Sequence, residues 1–265
     1  MLDRYNRKIN YLRISVTDRC NQRCKYCMPN EDNNFIKVDK ILSFEEIYVF
    51  TKTAVEFGIT KVRLTGGEPL VRKNILTLVK MIAGIDGIND LSMTTNGTLL
   101  RKYAYGLKQA GLDRLNVSLD SMDPDVYKTI TNCENLNDVL DGLQAAKEAG
   151  FEIIKINCVV RESSKEEQAQ EVAAYAKTNG FDIRFIRMMD MENGKFWPVE
   201  GGEGGDCSSC NRLRLSSDGK IYPCLFSDNY YSIKEYGAEE ALNKAVHYKP
   251  QSGDKGFNKF HILGG

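Results

Sequence analysis

Eight cysteines stand at positions 20, 24, 27, 133, 158, 207, 210 and 224 of a 265-residue chain. Six of them form two groups of three: Cys20, Cys24 and Cys27 as C-x3-C-x2-C, and Cys207, Cys210 and Cys224 as C-x2-C-x13-C. Soft thiolates grouped this closely are metal ligands. Structural zinc asks for four ligands. With only His247 and His261 to complete mixed sites, two zinc sites would be poorly supplied. Three thiolates within one loop can instead hold three irons of a cubane cluster, which is more often held by four cysteines. The remaining iron is then open to a ligand. A chance Cys-rich loop at the first group and a zinc knuckle at the second are the plainer alternatives. Cys133 and Cys158 lie outside both groups. Cys158 alternates away from Lys155 and Asn157 and reads as a small buried apolar residue.

The composition limits what such a chain can be. It carries 36 basic and 36 acidic residues, so no global charge favours nucleic acid. A hydrophobic content of 42% with 27% charge is that of a globular protein, not a disordered one. The length fits one large domain or two modest ones. Apolar runs such as 151–160 are far short of the ~20 residues that span a bilayer, and Met1–Arg4 shows no export signal. A reducing, cytoplasmic setting with no membrane partner is expected, and free thiols agree with it.

The elements that position the cysteines alternate. Strand patterns at Tyr11–Thr17, Lys61–Thr65, Leu91–Thr95, Arg114–Leu119, Ile153–Val159 and Asp182–Met188 are separated by helical ones. Ser43-Phe-Glu-Glu46 is a capping-box start for a helix reaching about Phe57. Leu99–Ala110 and Asn137–Ala149 each stop before a glycine. Ser164-Lys-Glu-Glu167 opens another helix ending near Gly180, and Lys165–Glu171 reads as its solvated face. Six βα units in succession predict an α/β fold with a parallel sheet. The Gly-rich stretch 200–205 reads as a linker. Arg212–Ser216 and Lys220–Pro223, joined by Ser217-Asp-Gly219, read as a hairpin, and a helix is expected near Glu239–His247.

One face of most strands is polar: Arg13, Ser15 and Thr17; Lys61, Arg63 and Thr65; Ser92 and Thr94; Asn116, Ser118 and Asp120; Lys155 and Asn157; and Arg184. Alternate residues share a face, and parallel sheets are normally covered on both faces. A cavity lined by Arg13, Lys61, Arg63, Lys155 and Arg184 requires an anionic ligand or water, since unpaired buried charge is costly. A polar face turned to solvent is the alternative.

The Cys20–Cys27 loop, with Tyr26 before its last cysteine, resembles the radical S-adenosylmethionine (SAM) enzymes, as does Gly66-Gly-Glu-Pro69 after the second strand pattern. Further segments narrow the resemblance to the GTP 3′,8-cyclase family of molybdenum cofactor biosynthesis. They are Arg13–Cys20, Tyr26–Pro29, Lys61–Pro69, Thr94–Gly97, Asn116–Asp120, Arg184-Phe-Ile, Cys207–Arg214 and the final Gly264-Gly265. The match runs from about residue 8 to 191 and from 206 to the end.

That resemblance implies a partial six-stranded (βα)6 TIM-type barrel over 1–191 and an auxiliary-cluster region with a Gly-Gly tail over 192–265. It implies a [4Fe-4S] cluster on Cys20, Cys24 and Cys27, and a second on Cys207, Cys210 and Cys224. SAM would be contacted by Tyr26, Gly67, Glu68, Ser118 and Met189. GTP would be bound by Arg13, Lys61, Arg63, Thr94, Lys155, Arg184, Arg212 and Arg214, six of which the polar face had already picked out. One electron would cleave SAM to methionine and a 5′-deoxyadenosyl radical. That radical would take the ribose 3′ hydrogen, and the carbon radical would add to guanine C8 to give 3′,8-cyclo-7,8-dihydro-GTP. The guanine would meet the open iron of the second cluster, and Gly264 and Gly265 would enter the site. An electron donor and a downstream pyranopterin-forming enzyme are implied partners, and a homodimer is compatible with the family. Trp197 is expected to pack between the two parts. The chain is shortened between Met191 and Cys207, where the family carries several tens of residues more.

Overall fold

The computed structural model describes residues 1–28, 35–256 and 260–263. Pro29 and the terminal Gly264 and Gly265, all expected near the site, lie outside the described residues. Six strands, β1 (Tyr11–Ser15), β2 (Lys61–Thr65), β3 (Asp90–Thr95), β4 (Arg114–Ser118), β5 (Ile154–Val160) and β6 (Asp182–Arg187), pair in chain order, each parallel to the next. The helices between them are α1 (Phe44–Glu56), α2 (Ile75–Ala83), α3 (Leu100–Gln109), α4 (Pro124–Thr131), α5 (Leu136–Glu148) and α6 (Glu167–Asn179). This is the expected partial (βα)6 barrel, except that two helices, α4 and α5, link β4 to β5.

The pleat explains the division of labour. Leu12, Ile14, Val62, Leu64, Leu115, Val117 and Ile156 are fully buried and join Phe50, Leu78, Val79, Leu107, Leu143 and Val172 in one apolar core. The alternate strand positions point the other way, toward the lumen. Capping follows the sequence at α1, where Ser43 and Glu46 make both hydrogen bonds of the box. It does not at α6. Ser164 instead donates to Glu200 (2.8 Å), while the Glu166 carboxylate collects the amides of Arg161, Glu162 and Ser163 and forms the turn before the helix.

The C-terminal segment adds β7 (Arg212–Leu215), β8 (Lys220–Tyr222), β9 (Tyr231–Ser232), α7 (Ile233–Tyr236), α8 (Ala238–His247) and α9 (Phe260–Leu263). The expected hairpin is present as β7–β8. Its first strand, β7, takes the free edge of β1. It pairs in parallel with β1 and extends the sheet to nine strands, in the order β6-β5-β4-β3-β2-β1-β7-β8-β9. The first strand of the chain is therefore an interior strand.

The Gly-rich stretch is not a loose linker either. Glu200 bridges to Phe185 of β6, and Val199 N donates to Gly204 O (2.9 Å). Gly205, at φ +73°, passes so close to Trp197 that a Cβ would lie 1.9 Å from its carbonyl oxygen. Trp197 lies under Arg187 of β6, with the guanidinium 4.0 Å from the ring. The shortened segment thus lines the flank beside β6. Among the described residues no helix is long and apolar enough to cross a membrane.

Candidate active site

The first three-cysteine group follows β1, at the end of the barrel where loops carry chemistry in this architecture. Two features fix the loop. Arg23 N and Lys25 N donate to Thr131 O and Ile130 O, at the C-terminal end of α4 (both 3.0 Å). Gly67 N and Glu68 N donate to Thr17 O and Arg19 O (both 2.8 Å), so the Gly66-Gly-Glu-Pro69 turn lies against the approach to Cys20. A Cβ on Gly67 would come within 2.3 Å of Arg19 O. This close approach is why the position takes glycine.

Cys20, Cys24 and Cys27 line one cavity of about 190 Å³, together with Tyr26, Gly67, Thr94, Ser118 and Met189. Glu68 is not part of that wall. It is fully buried, and its carboxylate accepts from Leu70 N (3.0 Å), Thr95 Oγ1 (2.7 Å) and Asn96 N (2.6 Å). Burial pushes it up to about 7 against those hydrogen bonds. Its side chain ties the turn to the end of β3, and Gly66 and Gly67 of the turn face the cavity. Tyr26 is anchored by its hydroxyl to Asp120 Oδ2 (2.8 Å), while Val159 N donates to Asp120 Oδ1 (2.8 Å). Burial raises Asp120 to about 6.

The thiols suit a polynuclear cluster. Among the described residues no three His, Cys, Asp or Glu side chains converge on a single metal ion. Yet three thiols share one cavity, each free to hold a separate iron. Burial pushes Cys20 up to about 11 and Cys27 to about 12, and holds Cys24 higher still. Gln22 N (3.4 Å) and Asn96 Nδ2 (3.8 Å) already donate to the Cys20 sulfur. A cluster held here would take these sulfurs as thiolates, and both donors would then face a thiolate.

A second cavity, also of about 190 Å³, adjoins the first; Asn157, Ile186 and Met189 line both. Its basic wall follows from strand register. Arg214, Arg13 and Arg63 pair across β7, β1 and β2, and Arg212, Tyr11 and Lys61 form the next row. Paired residues of parallel strands share a face. With Arg184 they all line the cavity, and so does Arg114, which the sequence reading missed. Arg114 keeps parity with Asn116 and Ser118, so the signal was present. It pairs with Asp90 (2.6 Å).

Burial, then neighbouring Arg214 and Arg63, drives Arg13 well below the usual guanidinium range. Burial lowers Arg63 and Arg214 to about 10. Two expected members are placed elsewhere. Thr94 lines the first cavity, and Lys155 lines neither, its ammonium bound to Asp182 (3.2 Å).

Cys207, Cys210 and Cys224 line this second cavity. Asp206 shapes their loop by accepting from Ser208 N, Ser208 Oγ and Ser209 Oγ (2.9, 2.7 and 2.6 Å). The tail also arrives here. Phe260 lines the first cavity, and Leu263 O accepts from Arg214 Nη1 (3.4 Å). Cys133 is half-buried with its sulfur 3.7 Å from Asn21 O, and Cys158 is fully buried in the core.

Residues 14–189 match the model of the Radical SAM superfamily, and the chain belongs to that superfamily. The partial barrel recurs in solved structures at low sequence identity. Streptococcus suis SuiB bound to S-adenosylmethionine superposes with a TM-score of 0.68 at 16% identity, over 91% of this chain and 66% of that one. Native anSMEcpe with bound AdoMet gives 0.66 at 16%, over 91% and 81%.

Sequence relatives are more specific. The GTP 3′,8-cyclase of Thermodesulfovibrio yellowstonii is 40% identical over 95% of both chains, and that of Petrotoga mobilis 38% over 95% of this chain and 94% of its own. This chain is a member of the GTP 3′,8-cyclase family. The first alignment runs over 305 positions, more than this chain's 265 residues, so the relative carries residues without a counterpart here.

Proposed function

We propose that the chain cyclises GTP to 3′,8-cyclo-7,8-dihydro-GTP, with SAM in the first cavity and GTP in the second. The observation that carries this reading is the junction. A thiol-lined cavity and an Arg-lined cavity meet over Asn157, Ile186 and Met189, so a group generated in one reaches a ligand held in the other. A four-iron cluster on Cys20, Cys24 and Cys27 supplies, when bound, the electron that splits SAM into methionine and a 5′-deoxyadenosyl radical. The protein's part is to place and enclose the reactants.

Tyr26, held by Asp120, and the glycine turn at Gly67 shape the SAM pocket, with Ser118 and Met189 on its far wall. Arg13, Lys61, Arg63, Arg184, Arg212 and Arg214 cradle the triphosphate, for which planar guanidinium forks are well suited. Arg114 joins them, whereas Thr94 borders SAM, and Lys155, held by Asp182, lies outside both cavities. A second four-iron cluster on Cys207, Cys210 and Cys224 would face the guanine end, and Gly264 and Gly265 would follow Leu263 into the site.

In this reading residues 1–191 form the radical SAM partial barrel, which holds SAM and much of the triphosphate cradle, and residues 192–265 form the auxiliary-cluster region that completes the substrate side. An electron donor reduces the first cluster, and a separate enzyme carries the product on to the pyranopterin in the cytoplasm. Whether the active species is a homodimer is read from the mass of the loaded protein. The test is anaerobic reconstitution, followed by mass spectrometry of GTP and SAM products. Product is expected only with SAM and reductant, and Arg212→Ala with Arg214→Ala should abolish it while SAM binding persists. SAM cleavage with GTP untouched would replace this reading with another two-cluster activity.

A further inference from the structure

Lys249 follows α8 and is only 2% exposed. A lysine is rarely buried so fully unless paired. Its partners here are not carboxylates. Nζ donates to Arg212 O (2.8 Å) and Pro223 O (2.6 Å). Pro223 precedes Cys224, and Arg212 stands two residues after Cys210. One ammonium therefore ties the segment just after Cys210 to the segment just before Cys224.

The chain beyond it braces the third cysteine. Gly253 N donates to Cys207 Sγ (3.4 Å). Arg7 Nη1 joins Cys207 O (2.7 Å) to Gln251 O (2.9 Å). Three thiolates on a four-iron core would leave net negative charge, and Lys249, with Arg214, is a buried cation close to two of them. Outer partners of this kind fix ligand geometry and tune the metal.

We infer that Lys249 is the positioning residue of a metal cluster on Cys207, Cys210 and Cys224, joining the two halves of the triad and standing as a fixed counter-charge. This rests on the two-cluster reading above. The test compares anaerobically reconstituted full-length protein with Lys249→Met, Lys249→Arg and Lys249→Gln. Iron and sulfide per chain, iron release to a chelator, and the reduction potential of each cluster are measured.

In Lys249→Met the first cluster and SAM binding are expected to persist. The second cluster should release iron about 10–100-fold faster and show a lower potential, because reduction adds negative charge without that cation. Lys249→Arg should restore both toward wild type. Release and potential equal to wild type in Lys249→Met overturn the inference. If that variant cannot hold its first cluster, Lys249→Gln, which keeps a donor but no charge, decides in the same way by its potential. A control with Cys20, Cys24 and Cys27 changed to Ser separates the two claims. If it binds no iron, the two-cluster reading itself fails, and Lys249 with it.

Discussion

Replacing Arg63 with Met should make the ligand-free protein more stable and GTP binding weaker. Arg63 is 7% exposed, with Nε on Ser92 Oγ (3.2 Å) and its guanidinium 5.5 Å from the Tyr11 ring. Burial lowers it from the usual guanidinium range to about 10; Tyr11 offsets part of this, and Arg114, Arg184 and Arg212 add to it. That displacement corresponds to ~3 kcal/mol against the charged form. Methionine removes the charge while filling most of the stem's volume. The Ser92 hydrogen bond (~1 kcal/mol) and the contact with Tyr11 (~0.5–1 kcal/mol) are lost. The net gain is about 1 kcal/mol, or a Tm increase of ~2–4 °C in a protein of this size.

The sign follows from linkage. The folded pKa is depressed, so the penalty is full below about 10 and fades as pH rises through it toward the ordinary guanidinium value. Binding moves the opposite way: losing a charge-assisted contact to phosphate costs ~1.5–3 kcal/mol, about 10–100-fold in Kd. Thermal melts of the ligand-free protein and calorimetric titration with GTP give both numbers. A lower Tm with an unchanged Kd would refute the view that this wall is a like-charged cradle waiting for an anion.

Two further outcomes are expected. Gly67→Ala, whose Cβ would meet Arg19 O at 2.3 Å, should displace the approach to Cys20. SAM cleavage should then fall about 100-fold, with weakened SAM binding by calorimetry; wild-type kinetics would show that the turn has slack. Asp120 is raised from 3.8 to about 6, so the ligand-free fold should lose stability as pH rises from about 4 through 6. Asp120→Asn should flatten that slope in urea titrations, and an unchanged slope would place its origin elsewhere.

Much of the fold was legible because its signals are local. Strand boundaries came within a residue or two, since alternation distinguishes the lumen from the core on each strand separately. The basic cavity was visible for the same reason. What stayed hidden depends on partners distant in sequence. Nothing in Arg212–Leu215 says that it will pair with β1, and nothing in a lone lysine after a helix says that it will sit between two cysteines. Other misses were readable. Asp123-Pro124 is an N-cap followed by proline at the first helical position, and it opens α4. At Glu68 a motif identified the turn, but only the hydrogen bonds of Thr95 and Asn96 reveal where its carboxylate goes.

The seating of β1 between β2 and β7 has a consequence for biosynthesis. Asn10 and Asn211, which join β1 to β7 at their entry, are 201 positions apart. At ~5–20 residues per second on the ribosome, one edge of β1 waits on the order of 10–40 s for its neighbour. Through that interval a polymerisable strand edge is exposed beside unmetallated thiols. Ribosomal pausing before residue 212 should therefore favour aggregation, and a chain ended near residue 191 should precipitate rather than persist as a smaller SAM-cleaving domain.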